Sequence, residues 1–327
     1  RGRTVTAILV THCHSDHSPL AAWLHEHTGA PTVAFGPHVL NTNWVEDDTP
    51  EEPTAEELAE AKAAEEAGDA KMEESLDLDF DPSVRVKNGD IAASGPGFTI
   101  RAIHTPGHTS NHMCFWWEEQ RALFTGDHIM GWSTTVITPP DGDMRSYFDS
   151  LHKVRARRDA VLWPTHGAPV RDAIPFIDAF VQHRLDREAG VLAAVRGGTA
   201  LVPDMVRQLY VGVNERLYKA AGRSVLSHLI KLADDGMVRF DGDRAYAITA
   251  VQHDPLFTID LADPSLPKQA GSIEMPGFVY HMEPRGDRLY AVGFDQGNQA
   301  GSLHVSLFDV HDLAAPTMID RVNFGGD

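Results

Sequence analysis

The sequence predicts a layered α/β domain over residues 1–185, a small α+β module over residues 186–250 and a β-rich segment over residues 251–327. Three observations lead to this organisation. Short apolar segments alternate with helical segments in the first part, three helical segments and a hairpin follow, and two related strand motifs close the chain. Strands that alternate with helices are typical of layered α/β domains.

The first part opens with β-branched and apolar residues at positions 4–10, which predict a buried strand. Ser18 and Pro19 predict the start of a helix, because serine is a common N-cap and proline suits the first helical position. The other predicted elements are the helices at Pro19–His27, 54–75 and Met144–Arg157, and strands at Pro31–Phe35, Val84–Val86, Phe98–His104, Met113–Trp117, Ala122–Thr125 and Ala160–Trp163. The helix at 54–75 is expected to lie in a solvated acidic insertion at 46–80.

The next segment changes character, with helical stretches at about 186–196, 202–210 and 214–235 before two short strands. This order of three helices and a hairpin is that of a winged-helix module. Further on, Ile259-Asp260-Leu261 is matched 49 residues later by Phe308-Asp309-Val310. A β-rich period near 50 residues is typical of propeller blades, and the remaining length predicts roughly one and a half blades.

The composition is that of a globular protein, with 42% hydrophobic and 23% charged residues. No apolar run is long enough to span a membrane, and the first residues lack the apolar stretch of a signal peptide. Cys13 and Cys114 are too few for a disulfide framework, so we expect a cytoplasmic protein. The net charge is −19, but ten acidic residues and two lysines lie between Glu51 and Glu74. The overall acidity therefore does not exclude a nucleic-acid substrate at a distant site.

Four side chains that bind metals cluster directly after the first predicted strand, in the pattern His12-x-His14-x-Asp16-His17. Zinc binds histidine nitrogens and carboxylate oxygens, and catalytic zinc sites leave one position open for water. Three further candidates follow strand ends and have a glycine close by, which permits a tight turn: His108, Asp127 and His166. Together these residues predict a metal centre of histidine and carboxylate ligands.

In this combination and order, the sequence resembles the metallo-β-lactamase superfamily over about residues 4–185. The resemblance implies an αββα sandwich that is N-terminally incomplete in this chain. It implies two zinc ions, one held by His12, His14 and His108 and the other by Asp16, His17 and His166. Asp127 and a hydroxide would bridge the ions, the hydroxide would be the nucleophile, and Asp16 and Asp127 would be the catalytic residues. Two zinc ions, two carboxylates and one hydroxide leave a net charge of about +1, which favours an anionic substrate.

Several neighbours of these residues are expected to play other roles. Cys13 should face away from the metal and pack in the core or the loop. His104, His112 and His128 are expected to support the ligands or the fold rather than to bind metal. Three histidines of the last segment are expected at the surface: His281, His304 and His311.

The module at 186–250 resembles the winged-helix extension of the branch that contains β-lactamase-like protein 2, some of whose members are ribonucleases. Four cations of its third helix could contact phosphate: Arg216, Lys219, Arg223 and Lys231. The alternative is that the module packs against the hydrolase or forms a homodimer. The last segment resembles a secreted β-propeller family, so we expect a fragment or a fusion.

Three functions remain open at this point. The first is a binuclear zinc hydrolase of a small ester, thioester or related anionic substrate. The second is a metal-dependent endoribonuclease that acts on RNA with the same metals. The third is a non-catalytic fragment or fusion with an incomplete fold. Hydrolysis of a β-lactam is not favoured, because the winged-helix extension does not suit it.

Overall fold

The structure is a computed structural model that describes residues 4–38, 76–199, 201–241, 244–248, 253–260, 262, 268–295 and 302–324. The chain divides into two compact units, one formed by Arg1–Thr135 with Pro140–Ile177 and the other by Val136–Pro139 with Asp178–Asp327. The helix predicted at 54–75 lies outside the described residues. The domain boundaries near residues 185 and 250 stay predictions.

The first unit contains two β-sheets. The smaller sheet has three parallel strands in the order β1 (Ile8–Leu9), β2 (Thr32–Ala34) and β3 (Val84–Arg85). The larger sheet has five strands in chain order: β4 (Ile91–Gly95), β5 (Phe98–His104), β6 (Met113–Trp117), β7 (Ala122–Gly126) and β8 (Val161–Pro164). Strands β4 to β7 are antiparallel neighbours, and β8 pairs with β7 in parallel.

An apolar core joins the two sheets of this unit. Val33 from β2 and Val86 after β3 pack in the same cluster as Ala102, Met113 and Phe115 from β5 and β6. Residues on one face of a strand recur at every second position, which places Met113 and Phe115 on the buried side together. Helices α1 (Pro19–Thr28) and α2 (Met144–Arg157) belong to the unit, and α3 (Ala173–Arg196) begins in it.

Most local predictions for this unit match the structure, and β5, β6 and α2 have the predicted bounds. The strand predicted at 4–10 is shorter, and β4 was not predicted. Ser18 is the N-cap residue of α1 and Pro19 begins the helix, as predicted, although the Ser18 hydroxyl makes no capping hydrogen bond. It donates instead to the Asp77 carboxylate at 2.7 Å, and this partner lies far away in sequence.

The second unit begins with the winged-helix elements, which are the rest of α3, α4 (Val202–Leu209), a 3-10 turn at Glu215–Leu217, α5 (Tyr218–Asp234), β9 (Val238–Asp241) and β10 (Arg244–Ala247). Side chains from the helices and from β9 form one buried apolar cluster, which includes Val191, Val195, Met205, Val225 and Val238. The strands β9 and β10 pair as an antiparallel hairpin. This order is that of the predicted module.

The hairpin does not stand alone, because β10 also pairs with β11 (His253–Asp260), which pairs with β12 (Lys268–Pro276). A second four-stranded antiparallel sheet follows in chain order: β13 (Phe278–Arg285), β14 (Arg288–Asp295), β15 (Ser302–Asp309) and β16 (Thr317–Phe324). The described residues therefore form two four-stranded sheets where about one and a half blades were expected. The wing of the winged-helix module supplies the first two strands.

The prediction of a surface position is wrong for His304. This residue lies on the buried side of β15, its exposed fraction is 0%, and its Nδ1 lies 3.2 Å from the hydroxyl oxygen of Ser306. The alternation of β15 explains the difference, since His304, Ser306 and Phe308 share one face.

The helices in the described part of the chain include none with the length and apolar character of a membrane span.

Candidate metal centre

The loop between β1 and α1 brings four of the predicted ligands into a small volume. The backbone N–H groups of His17 and Ser18 both donate to the carbonyl of His14, at 2.9 and 3.1 Å. This tight turn places the second half of the motif beside the first, and the ring centres of His12 and His17 lie 4.1 Å apart.

Three buried imidazoles form the first cluster. Nδ1 of His14 lies 2.9 Å from Nε2 of His12 and 3.1 Å from Nε2 of His108. Burial lowers the pKa of His14 to about 3 and the pKa of His12 well below its usual value, so both rings are neutral at physiological pH. Ligand nitrogens of a tetrahedral zinc site lie roughly 3.3 Å apart, given Zn–N bonds of about 2.0–2.1 Å. The chemistry and spacing of this cluster therefore fit a zinc ion.

The second cluster contains His17, His166 and Asp16. Oδ2 of Asp16 lies 3.4 Å from Nε2 of His17 and 3.2 Å from Nε2 of His166. The side chain of Asp16 is 53% exposed and that of His166 is 33% exposed, whereas that of His17 is 6% exposed. This cluster therefore opens to solvent, and a substrate could reach it.

Asp127 lies close to residues of both the first and the second cluster. Its Oδ2 lies 3.5 Å from Nε2 of His17 and of His166, and His12, His17 and Asp127 form a further group suited to a metal. Burial alone would raise the pKa of Asp127, but the hydrogen bond and charge of His17, with the charges of His108 and His166, lower it below its usual value. The carboxylate is therefore ionised and almost fully buried.

The other carboxylate oxygen of Asp127 also indicates that this residue is a metal ligand. Oδ1 is buried and has no hydrogen-bond partner within the described part of the chain. An ionised oxygen that is buried without a partner costs free energy unless a cation compensates it. The structure thus brings all seven predicted ligands together, in the groups His12–His14–His108, His12–His17–Asp127 and Asp16–His17–His166.

Two glycines determine where His166 lies. The N–H of Gly131 donates to the carbonyl of His166 at 2.7 Å. A Cβ on Gly131 would lie 2.7 Å from the carbonyl oxygen of Ala168, and Gly167 has a φ of +104°. No side chain fits between these two backbones, so both positions require glycine.

The neighbours of the ligands have diverse surroundings. Cys13 is fully buried, with its Sγ 3.9 Å from Oδ1 of Asn111. His104 stacks on Phe35, while His112 and His128 are fully buried behind the ligands.

Sequence reasoning missed two residues that support the ligands. Thr11 Oγ1 lies 3.0 Å from Nδ1 of His12, and the Thr135 hydroxyl donates to the carbonyl of Asp127 at 2.7 Å. Thr11 precedes the histidine motif directly, which was a usable signal. No spacing pattern pointed to Thr135.

Comparisons with known proteins support this picture. The family model described as Metallo-beta-lactamase superfamily matches residues 1–166, Beta-lactamase associated winged helix domain matches 202–246 and Beta propeller domain matches 236–327. The predicted winged-helix and propeller resemblances are thereby confirmed. The last two matches overlap at the hairpin of β9 and β10, which is the part that the two modules share.

Individual relatives match less than half of the chain. It is 33% identical over 143 residues to the "Beta-lactamase-like protein 2 homolog" of Caenorhabditis elegans, covering 43% of this chain and 47% of that protein. It is 34% identical over 154 residues to the "Atrochrysone carboxyl ACP thioesterase" of Aspergillus chevalieri, covering 44% and 49%. The chain spans about half the length of the curated relatives it matches.

A solved structure shows the same fold. The crystal structure of a β-lactamase domain protein from Burkholderia ambifaria superimposes with a TM-score of 0.55 at 23% identity, covering 73% of this chain and 71% of that one.

Proposed function

The chain belongs to the metallo-β-lactamase superfamily, and from this premise we propose that it is a binuclear zinc-dependent hydrolase of a small ester, thioester or related anionic substrate. One observation carries the proposal. The buried, ionised carboxylate of Asp127 lies between a cluster of three histidines and a second cluster that opens to solvent.

In this proposal the seven ligands hold two zinc ions. His12, His14 and His108 would hold one ion with three nitrogens, and Asp16, His17 and His166 would hold the other. Asp127 would contact both ions. When bound, two zinc ions supply positive charge and lower the pKa of a coordinated water to roughly 7, which provides a nucleophile at neutral pH.

The remaining chemistry falls to the protein's own side chains. Asp16 is the most exposed of the acidic ligands, so its carboxylate can orient an attacking water and accept its proton. The buried histidine cluster excludes bulk water from one side of the site, which strengthens electrostatic interactions with a developing oxyanion. A nucleophilic serine or cysteine is not required.

A thioester is the substrate class that we favour. One relative carries the name of an acyl-carrier-protein thioesterase, at 34% identity over 154 residues. In addition, Trp132 follows Gly131, whose N–H donates to the His166 carbonyl, and Trp132 is 78% exposed. An exposed tryptophan so close in sequence to a ligand contact offers an apolar surface for an acyl group.

The endoribonuclease alternative receives less support from the winged-helix module. Nζ of Lys231 lies 3.0 Å from Oε1 of Glu188 and 2.7 Å from Oδ2 of Asp235. This cation is therefore engaged by carboxylates of its own unit, and its side chain is only 15% exposed. A phosphate would have to compete with both partners.

The experiment that tests the proposal is a substrate panel of thioesters, phosphodiesters and RNA, assayed with the full chain before and after treatment with a chelator. We expect thioester hydrolysis that is lost on chelation and restored by zinc. RNA cleavage without thioester turnover would favour the ribonuclease. No turnover, together with less than one zinc per chain, would favour a non-catalytic protein.

A further inference from the structure

A fully buried histidine that is not needed as a ligand lies directly behind the metal centre. His112 precedes β6, and its exposed fraction is 0%. Its Nε2 accepts a hydrogen bond from the backbone N–H of Asp127 at 3.2 Å. Its Nδ1 lies 2.9 Å from the hydroxyl oxygen of Thr105, which follows β5.

These two contacts determine where the ring carries its proton. A backbone N–H can only donate, so Nε2 of His112 must offer a lone pair to Asp127. In a neutral imidazole the proton then lies on Nδ1, which donates to the oxygen of Thr105. His112 is therefore the Nδ1–H tautomer.

The hydrogen bonds continue beyond Thr105 in the same direction. Sγ of Cys114 donates to the carbonyl of Thr125 at 3.4 Å. Because its single proton is used there, the Thr105 hydroxyl must donate to Sγ, at 3.3 Å. The path runs from the Asp127 N–H through His112, Thr105 and Cys114 to the Thr125 carbonyl, two residues before its origin.

We infer that His112 is a positioning residue, which closes this one-way ring of hydrogen bonds around the turn Thr125-Gly126-Asp127 and thereby holds the Asp127 carboxylate between His17 and His166. The ring connects the end of β5, the start of β6 and the end of β7. These three places meet only when the sheet has formed.

The close fit of the turn supports this inference. Gly126 has a φ of +51°, and a Cβ on it would lie 2.8 Å from both Nε2 of His112 and Cβ of Thr11. The backbone of the turn is thus in direct contact with the imidazole. A shift of the His112 imidazole would therefore have to move Asp127.

The surroundings of Cys114 keep the proton that the ring of hydrogen bonds requires. Burial raises the pKa of the Cys114 thiol to about 12. At neutral pH the thiol is therefore protonated and can donate to the Thr125 carbonyl.

The tautomer can be measured on the metal-free full chain. Nitrogen NMR of protein labelled at histidine should show a protonated Nδ1 and an unprotonated Nε2 for His112, assigned by the loss of its signals in His112→Gln. A proton on Nε2, or on both nitrogens, would overturn the inference. This measurement needs neither zinc nor turnover, so its result does not depend on the proposed function. Only the zinc measurements described next rest on the proposed function.

A variant series tests the positioning role. The Oε1 atom of Gln in His112→Gln can replace Nε2 as the acceptor for Asp127, whereas His112→Leu offers no acceptor. Loss of a residue that supports a metal ligand typically costs about 10- to 100-fold in metal affinity. We expect a loss in that range for His112→Leu and a loss of less than about tenfold for His112→Gln, measured by competition with a zinc chelator.

Thr105→Val is the second test, because it keeps the shape of the side chain and removes the hydroxyl that links His112 to Cys114. We expect weaker zinc binding and a lower kcat with little change in KM, while the matched control Thr99→Val, on β5 but outside the ring of hydrogen bonds, stays as the wild type. Equal losses in His112→Gln and His112→Leu would contradict the role. Wild-type zinc affinity in Thr105→Val would also contradict it, and this test holds even if His112→Leu fails to fold.

Discussion

The Oδ2 atom of Asp127 lies 3.5 Å from Nε2 of His17, in a site where the Asp127 side chain is only 4% exposed. The same oxygen lies 3.5 Å from Nε2 of His166. This carboxylate therefore connects the ligands from the first loop with the ligand that follows β8.

Asp127→Asn tests that connection, because it keeps the size of the side chain and removes its charge. We expect hydrolysis to fall by more than the roughly 100-fold that loss of a supporting residue can cost in metal affinity. The zinc content should fall from two towards one, since His12, His14 and His108 are unchanged. Asp149→Asn, on the exposed side of α2, is the matched control and should keep both zinc ions.

Gly131→Ala tests whether the backbone contact places His166. The added Cβ would lie 2.7 Å from the carbonyl oxygen of Ala168, so the loop backbone that carries His166 must move. We expect zinc to bind more weakly at the second cluster, by about 10- to 100-fold, with the first cluster unaffected. Gly36→Ala is the control, because its Cβ would meet its nearest atom at 3.9 Å. Equal zinc affinity in both variants would refute this role.

Trp132→Ala tests the proposed acyl surface. Full burial of a large apolar side chain contributes about 1.5–3 kcal/mol, and the indole is only partly covered by a ligand at a surface. We therefore expect KM for a long-chain thioester to rise by roughly tenfold, with an unchanged zinc content. The KM for a short acetyl thioester should change little. A uniform rise for both substrates would argue against an apolar contact.

His128 is one of the buried histidines that should make the metal-free protein less stable in mild acid. Burial lowers the pKa of this histidine from 6.5 to about 3. Between these values the unfolded chain binds a proton that the folded chain does not, so the free energy of unfolding rises with pH. The contribution of His128 to stability is complete above about pH 6.5 and is lost as the pH falls towards 3. His128→Leu should reduce this slope by up to about 1.4 kcal/mol per pH unit.

Urea titrations with tryptophan fluorescence can measure this slope in the presence of a chelator. All six tryptophans lie in the hydrolase half of the chain: Trp23, Trp44, Trp116, Trp117, Trp132 and Trp163. The signal therefore reports on that half and not on the sheets that follow it. An unchanged slope in His128→Leu would show that His128 is not the linked group.

Sequence patterns predicted the helices and strands that depend only on residues within or next to the same segment. Helix α2 has its predicted bounds, and its N-cap Asp143 accepts a hydrogen bond from the N–H of Ser146, which is a purely local contact. The strand β5 begins with the alternation of apolar and polar residues that is typical of a half-buried strand, and β6 is a short continuous apolar run of the kind that indicates a buried strand. The seven ligands could be selected because each follows a strand or lies beside a glycine.

Contacts between distant segments could not be predicted in this way. Ser18 is the N-cap residue of α1, as predicted, but the partner of its hydroxyl is Asp77, which lies 59 residues further along the chain. The contact between His112 and Asp127 depends on the register of β6 and β7, which no single segment encodes. For the same reason, the pairing of β10 with β11 turned a predicted wing into half of a four-stranded sheet.

Native mass spectrometry of the full chain after purification with zinc, compared with Asp127→Asn, counts the metal ions directly. We expect two zinc ions in the wild type and one in the variant, with thioester hydrolysis only in the doubly loaded protein. Fewer than one zinc ion per chain in the wild type would show that the seven residues do not form a binuclear zinc centre.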